Sequence, residues 1–139
     1  MLIGEYNHTI DAKGRLNFPS KMREVLGESF IVTRGLDHCL NVYSLNEWFK
    51  LEQSIGELPR NKRRDIERFF FSGAMEVVPD RQGRIVISAN LREYAQLDKN
   101  IVVVGASDHA EIWDESIWKQ EFEKLSPESV AKIMDELDF

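Results

Sequence analysis

Asp11-Ala-Lys-Gly-Arg-Leu-Asn-Phe-Pro-Ser-Lys-Met-Arg-Glu24 returns 69 residues later as Asp80-Arg-Gln-Gly-Arg-Ile-Val-Ile-Ser-Ala-Asn-Leu-Arg-Glu93. Five of the fourteen positions are identical, namely Asp11/Asp80, Gly14/Gly83, Arg15/Arg84, Arg23/Arg92 and Glu24/Glu93, and most of the others keep their polarity. With one residue of slippage Gly35 meets Gly105, Val42-Tyr43 meets Ile112-Trp113 and Trp48 meets Trp118. A chain written twice must fold as two like units that stand side by side or interlock. The 139 residues divide into a first unit at 1–50, a connecting helical segment at 51–73, a second unit at 74–125 and a tail at 126–139.

Inside each unit the periodicity is that of short strands. Tyr6, His8 and Ile10 alternate with polar residues before Asp11-Ala-Lys-Gly14, and Arg15 to Phe18 returns, which predicts a hairpin. Asp at the first turn position and Gly at the fourth are type I turn chemistry, because the carboxylate accepts backbone N–H bonds and glycine tolerates positive φ. Glu76 to Pro79 and Arg84 to Ile87 repeat the pattern. Pro19-Ser20 to Leu26-Gly27 reads as a short helix closed by glycine, echoed by Ser88 to Ala95. Phe30 to Thr33 with Leu40 to Tyr43, and Ile101 to Val104 with Glu111 to Trp113, are second strand pairs. A helix follows each, and Ser44 with Glu47 fits a capping box for the first.

Two hairpins and one turn of helix leave strand edges and an apolar face uncovered, so a lone unit is a poor domain. Interleaving both copies predicts a mainly β, α+β fold of pseudo-twofold symmetry, closed into a small barrel, with like turns projecting from related positions. The single cysteine, Cys39, excludes an internal disulfide framework and any zinc site built on two or more thiolates. MLIGEYNH is no secretory signal and the apolar runs are far too short to span a membrane, which predicts a cytoplasmic protein. The formal charge of −6 is unevenly spread: ten acids against three lysines leave −7 over residues 108–139, whereas residues 1–107 carry +1. Basic clusters, Lys13, Arg15, Lys21 and Arg23 or Arg60, Lys62, Arg63, Arg64 and Arg68, therefore sit in a chain that is acidic only at its end.

The repeated D-x-x-G-R, followed by apolar residues, a small residue or proline, and L/M-R-E, resembles the DNA-binding hairpins of AbrB-type transition-state regulators. With GEYNHTIDAKGR, TRGLD, RFFFSGAMEV, GRIVISANLREYA and EIWDESIW in place, the chain resembles the MraZ family from its first residues to about Phe122. That resemblance implies a bacterial transcriptional regulator of the division and cell-wall gene cluster, nucleoid-associated, built from two AbrB-like swapped-hairpin units and assembled as a homo-oligomeric ring. It also implies double-stranded DNA as partner, with no cofactor, metal or small-molecule substrate. One departure stands out: Phe18-Pro19 in the first repeat becomes Ile87-Ser88 in the second, so the second helix should begin differently.

Arg15 and Arg84 follow glycine at the base of a tight turn, where a guanidinium fork can reach phosphate or the O6/N7 edge of guanine. Lys13 and Arg81 sit on the tips, while Asp11 and Asp80, with Gly14 and Gly83, brace the turns or hold the forks by charge-assisted bonds. Lys21, Arg23 and Arg92 fall on the short helices, where the two arginines either contact phosphates or cap C-terminal carbonyls. Asp37-His38-Cys39 and Asp108-His109 look like fragments of a nucleophile or metal site, but strand neighbours face opposite ways and the second copy lacks the cysteine. They are expected to be turn residues, and the chain is expected not to be an enzyme. Phe69-Phe70-Phe71, Trp48 and Trp118 suit packing better than base stacking, and Val130, Ile133, Met134 and Leu137 give an acidic amphipathic tail helix. The alternative from another class is an antitoxin-like module, with the swapped-hairpin body as platform and the acidic tail wrapped on a toxin.

Overall fold

The computed structural model describes residues 1–138. The first half runs β1 (Glu5–Thr9), β2 (Arg15–Asn17), α1 (Ser20–Leu26), β3 (Phe30–Arg34), β4 (Leu40–Ser44), α2 (Leu45–Gly56) and α3 (Arg60–Phe70). The second runs β5 (Met75–Val77), β6 (Arg84–Val86), α4 (Ala89–Tyr94), β7 (Asn100–Gly105), β8 (Ala110–Asp114), α5 (Glu115–Glu123) and α6 (Pro127–Met134).

Local chemistry sets the helix starts. Ser44 Oγ accepts the Glu47 N–H at 3.2 Å, while the Glu47 carboxylate pairs with Lys50 at 3.2 Å, so half of the expected capping box forms. The departure between the repeats has its expected effect: α1 begins at Pro19 with no side-chain cap, whereas Ser88 Oγ accepts the Leu91 N–H at 3.4 Å. Asp114 caps α5 through the Ser116 N–H at 3.2 Å.

Four of the six strand pairings cross between the repeats, and only β3–β4 and β7–β8 join strands of the same one. Six strands form an antiparallel sheet in the order β1-β7-β8-β4-β3-β5, and β2 pairs with β6 in a separate two-stranded ribbon. Each repeat thus lends its first strand to the other: β1 lies on β7, with Asn7 opposite Val102, and β5 lies on β3, with Glu76 opposite Ile31.

The expected interleaving is present; the expected closed barrel is not. β1 and β5 remain the open edges of the six-stranded sheet, and the fold is α+β with two sheets and six helices among the described residues. Hydrogen-bond accounting explains this. Because the first strand of each D-x-x-G hairpin is committed to the other repeat, its partnership with the returning strand shrinks to the turn. There the Asp11 N–H donates to the Arg15 carbonyl at 3.1 Å, the Asp80 N–H to the Arg84 carbonyl at 2.9 Å, and one bridge joins Ile10 to Leu16. Pro79 has no N–H to extend the ladder in the second copy. The hairpins read from the sequence are therefore turns whose arms part company.

The main core lies between one face of the large sheet and the ribbon with α1 and α4. Phe30, Val32, Leu40, Val42, Ile101, Val103 and Ile112 project from the sheet, and Leu16, Phe18, Met22, Ile85, Ile87 and Leu91 meet them from the other layer. On the opposite face α2 and α3 cover β3 and β4, while α5 covers β7 and β8. Trp48 is buried there with the Phe71 ring 5.2 Å away, and Phe69 packs against Tyr94 at 5.9 Å. The phenylalanine run is thus half-buried within the chain. Every residue of α6 is exposed, including Val130, Ile133 and Met134.

Candidate nucleic-acid interface

The two D-x-x-G-R turns fold alike. Gly14 N–H donates to the Asp11 carbonyl at 2.9 Å and Gly83 N–H to the Asp80 carbonyl at 2.9 Å, closing the expected turns. Both glycines hold positive φ, +82° and +80°, which L side chains rarely adopt. One Asp11 carboxylate oxygen accepts the Lys13 and Arg15 N–H groups, both at 2.9 Å, and the other accepts Arg15 Nε at 2.6 Å. Asp80 does the same for the Gln82 N–H, the Arg84 N–H and Arg84 Nε, each at 2.9 Å. The backbone N–H of the following arginine is the foremost reason that each carboxyl sits below its ordinary value of 3.8. Each aspartate therefore both braces its turn and holds its fork, the two roles that the sequence left open.

The ribbon decides where the forks go. Arg15 opposes Val86, Leu16 opposes Ile85 and Asn17 opposes Arg84. Leu16 and Ile85 point into the core at 0% and 1% exposure, so alternation sends Arg15, Asn17, Arg84 and Val86 to the outer face. The two arginines are diagonal neighbours across this face, a relation that places Cα atoms about 7–8 Å apart in antiparallel pairs. With Nε held by aspartate, both terminal nitrogens of Arg15 and Arg84 are without a protein hydrogen bond among the described residues. Lys13, Arg81 and Gln82 lie exposed on the tips. Asn17 and Val86 were not singled out from the sequence, although counting two residues along each strand from an arginine finds one of them and its repeat mate.

Lys21 is exposed on α1 beside the N-terminal segment, away from the turn contacts. Arg23 and Arg92 are half-buried and do not cap the ends of their helices. Arg23 Nε donates to the Phe18 carbonyl at 3.1 Å and Arg92 Nε to the Ile87 carbonyl at 3.1 Å, each just ahead of its own helix. The repeats are further tied by Phe18 N–H to the Gly83 carbonyl at 3.0 Å and Ile87 N–H to the Gly14 carbonyl at 2.8 Å.

The catalytic fragments are turn residues, as expected. Cys39 is buried, and desolvation pushes its thiol up to about 12, the reverse of what a nucleophile needs. His109 is held between Asp108 at 2.7 Å and Glu111 at 3.2 Å, and His38 stacks on Tyr94 with centroids 5.3 Å apart. Among the described residues no group of three or more His, Cys, Asp or Glu could hold a metal, and no helix is long and apolar enough to cross a membrane.

Fold and site together define a class: a duplicated chain whose strand-exchanged repeats display paired, aspartate-held arginines on a two-stranded ribbon. Comparison with known proteins makes the assignment particular. The family model described as "MraZ protein, putative antitoxin-like" matches the chain twice, over residues 1–68 and 70–138. A "Transcriptional regulator MraZ" of Caldicellulosiruptor saccharolyticus is 52% identical, covering 99% of both chains. Its namesakes in Desulfitobacterium hafniense, 58% identical over 85% of this chain and 84% of the relative, and Moorella thermoacetica, 50% identical over 100% and 99%, are similar. The chain belongs to the MraZ family of transcriptional regulators. This is a family of regulators rather than enzymes.

Proposed function

We propose that this protein is a sequence-specific DNA-binding transcriptional regulator whose reading surface is the outer face of the β2–β6 ribbon. The observation that carries the reading is the pair of guanidinium forks, Arg15 and Arg84, set on that face with their terminal nitrogens free of protein hydrogen bonds among the described residues. A two-stranded ribbon fits the major groove, and an arginine fork matches guanine O6/N7. The diagonal spacing of about 7–8 Å is close to two base-pair steps of about 3.4 Å. Lys13 and Arg81 serve as phosphate contacts that fix register, and the acidic tail stays clear of the DNA. The family resemblance makes the division and cell-wall gene cluster the natural target, with regulation by occupying operator DNA.

One ribbon offers little contact area, so several ribbons on one face of an oligomer would engage repeated operator elements through effective concentration. Charge complementarity supports a head-to-tail arrangement. Arg60, Lys62, Arg64 and Arg68 are exposed on α3, while the groove between α5 and the β1–β7 edge is lined by Glu5, Glu115 and Glu123 with Trp118 and Phe122, and its one basic residue, Lys119, is paired with Glu115 at 3.3 Å. A contact between unlike surfaces closes into a ring when its rotation permits.

Selection from random DNA, followed by footprinting of the enriched sequence, tests the function. The expected result is a short recurring element with guanines at two positions about two base pairs apart. Recovery of no preferred sequence by the oligomer would overturn it.

A further inference from the structure

Each recognition turn is supported from beneath by an arginine of the other repeat. Arg92, on α4 of the second half, donates Nη1 to the Ala12 carbonyl at 3.2 Å, inside the first-half turn, while its Nε holds the Ile87 carbonyl at 3.1 Å. A Cβ on Gly14 would stand 3.0 Å from Arg92 Nε and 3.2 Å from Cζ, so the guanidinium lies against the bare face of that glycine. The mirror contact holds in the second half: a Cβ on Gly83 would stand 2.7 Å from Arg23 Cζ and Nη2, with Arg23 anchored to the Phe18 carbonyl. Gly14 and Gly83 therefore serve twice, once for positive φ and once to admit the opposite repeat's guanidinium. The support is not quite symmetric, because only Arg92 adds a bond into the opposite turn.

We propose that Arg92 and Arg23 are positioning residues for DNA reading that act across the repeats, Arg92 setting the Arg15 turn and Arg23 the Arg84 turn. The inference rests on the ribbon being the DNA-reading face. Its physical basis is the fork: one guanidinium has five donors in a rigid plane and can satisfy two carbonyls on different segments at once. An ammonium keeps the charge but is a point donor on a flexible stem, so it does not reproduce a two-carbonyl clamp. Asp11 shapes the Arg15 turn internally, and Arg92, bridging Ile87 and Ala12, would join the Ile87–Gly14 tie in fixing its place on the ribbon. A fork carried on a loosened turn still attracts phosphate but discriminates poorly between bases, since the bidentate match needs a fixed approach.

The test uses the full-length protein and four variants, Arg92→Ala, Arg92→Lys, Arg15→Ala and Arg84→Ala, each profiled on a library of single-base operator changes. The expected result is that both Arg92 variants relax discrimination by about tenfold at the positions relaxed by Arg15→Ala, and not at those relaxed by Arg84→Ala. Non-specific affinity and the salt slope should stay as in the wild type. Rescue by lysine, or an equal loss of specific and non-specific binding in Arg92→Ala, would overturn the proposal in favour of a direct phosphate contact. Relaxation at the Arg84 positions would overturn the crossing. Hydrogen exchange without DNA separates this proposal from the reading beneath it. Arg92→Ala should speed exchange of the amides in residues 12–15 and leave residues 81–84 unchanged, and unchanged exchange at 12–15 would overturn the brace itself. If exchange crosses over as expected while the wild type shows no base preference, the DNA reading has failed, and the positioning role falls with it.

Discussion

Gly14 and Gly83 occupy the same place in the two repeats with nearly the same φ, yet alanine should cost them different amounts. At either position an L side chain in the left-handed region costs about 1–2 kcal/mol. A Cβ on Gly14 would also lie 2.4 Å from the Ile87 carbonyl oxygen, a backbone atom of the residue whose N–H makes the cross-repeat tie. Relieving that clash means moving the ribbon and weakening the bond from Ile87 N–H to the Gly14 carbonyl, worth about 1 kcal/mol net. On Gly83 the nearest atoms belong to the Arg23 guanidinium at 2.7 Å, the far end of a side chain that can yield without moving backbone, as the Arg92 guanidinium must also yield to a Cβ on Gly14. Gly14→Ala should therefore destabilise by about 2–3 kcal/mol, roughly 1 kcal/mol more than Gly83→Ala. In urea, with slopes of about 1–3 kcal/mol/M, that difference separates the midpoints by roughly 0.3–1 M at unchanged slope. Protomer concentration must be held fixed, because assembly contributes to apparent stability. Equal midpoints, or a costlier Gly83→Ala, would refute the assignment of backbone contact to one turn and side-chain contact to the other.

Other outcomes follow from the same geometry. Leu16, fully buried where ribbon meets sheet, should lose about 2–5 kcal/mol on Leu16→Ala, read by the same denaturation, and a loss under 1 kcal/mol would mean that the ribbon is not docked. His109 is raised above 6.5 chiefly by the hydrogen bond to Glu111, so its contribution to stability is complete below 6.5 and is lost as pH rises through the folded value. Thermal stability should accordingly decline across that interval, and Glu111→Gln should flatten the decline. Removing the residues after Ser126, of which 127–138 are exposed, should leave the fold intact and operator binding unchanged or stronger, since the tail adds negative charge near a polyanion. Lost binding by an intact oligomer would put the tail in the DNA site.

Much of the local structure is legible because it depends on neighbours in sequence. Asp11 and Gly14 dictate a turn whatever lies beyond it, Ser44, Ser88 and Ser126 announce helices that begin beside them, and the spacing of Val130, Ile133 and Met134 marks α6. The failure of barrel closure is different in kind. Whether Tyr6 and His8 face Arg15 to Asn17 or the far strand β7 depends on competition between two partners of similar character. Alternation reports which face a residue takes, not which neighbour it bonds. Arg23 and Arg92 were equally opaque, because their carbonyl partners precede their own helices and the glycine each leans on lies in the other repeat. Recurrence of glycine and arginine at the same interval in both copies was the available signal, but by itself it does not say that the pair is exchanged.

The central claim is that DNA sequence is read by the two forks on the ribbon. Its most direct test is operator binding by the Arg15→Ala/Arg84→Ala double variant, measured alongside its mass by sedimentation. Both side chains project from the outer face, so the variant should fold and assemble like the wild type. Each lost base contact costs about 1–3 kcal/mol, and the loss recurs in every engaged subunit, so specific binding should fall to the level of random DNA. Wild-type operator affinity in an intact oligomer of the double variant would contradict the account.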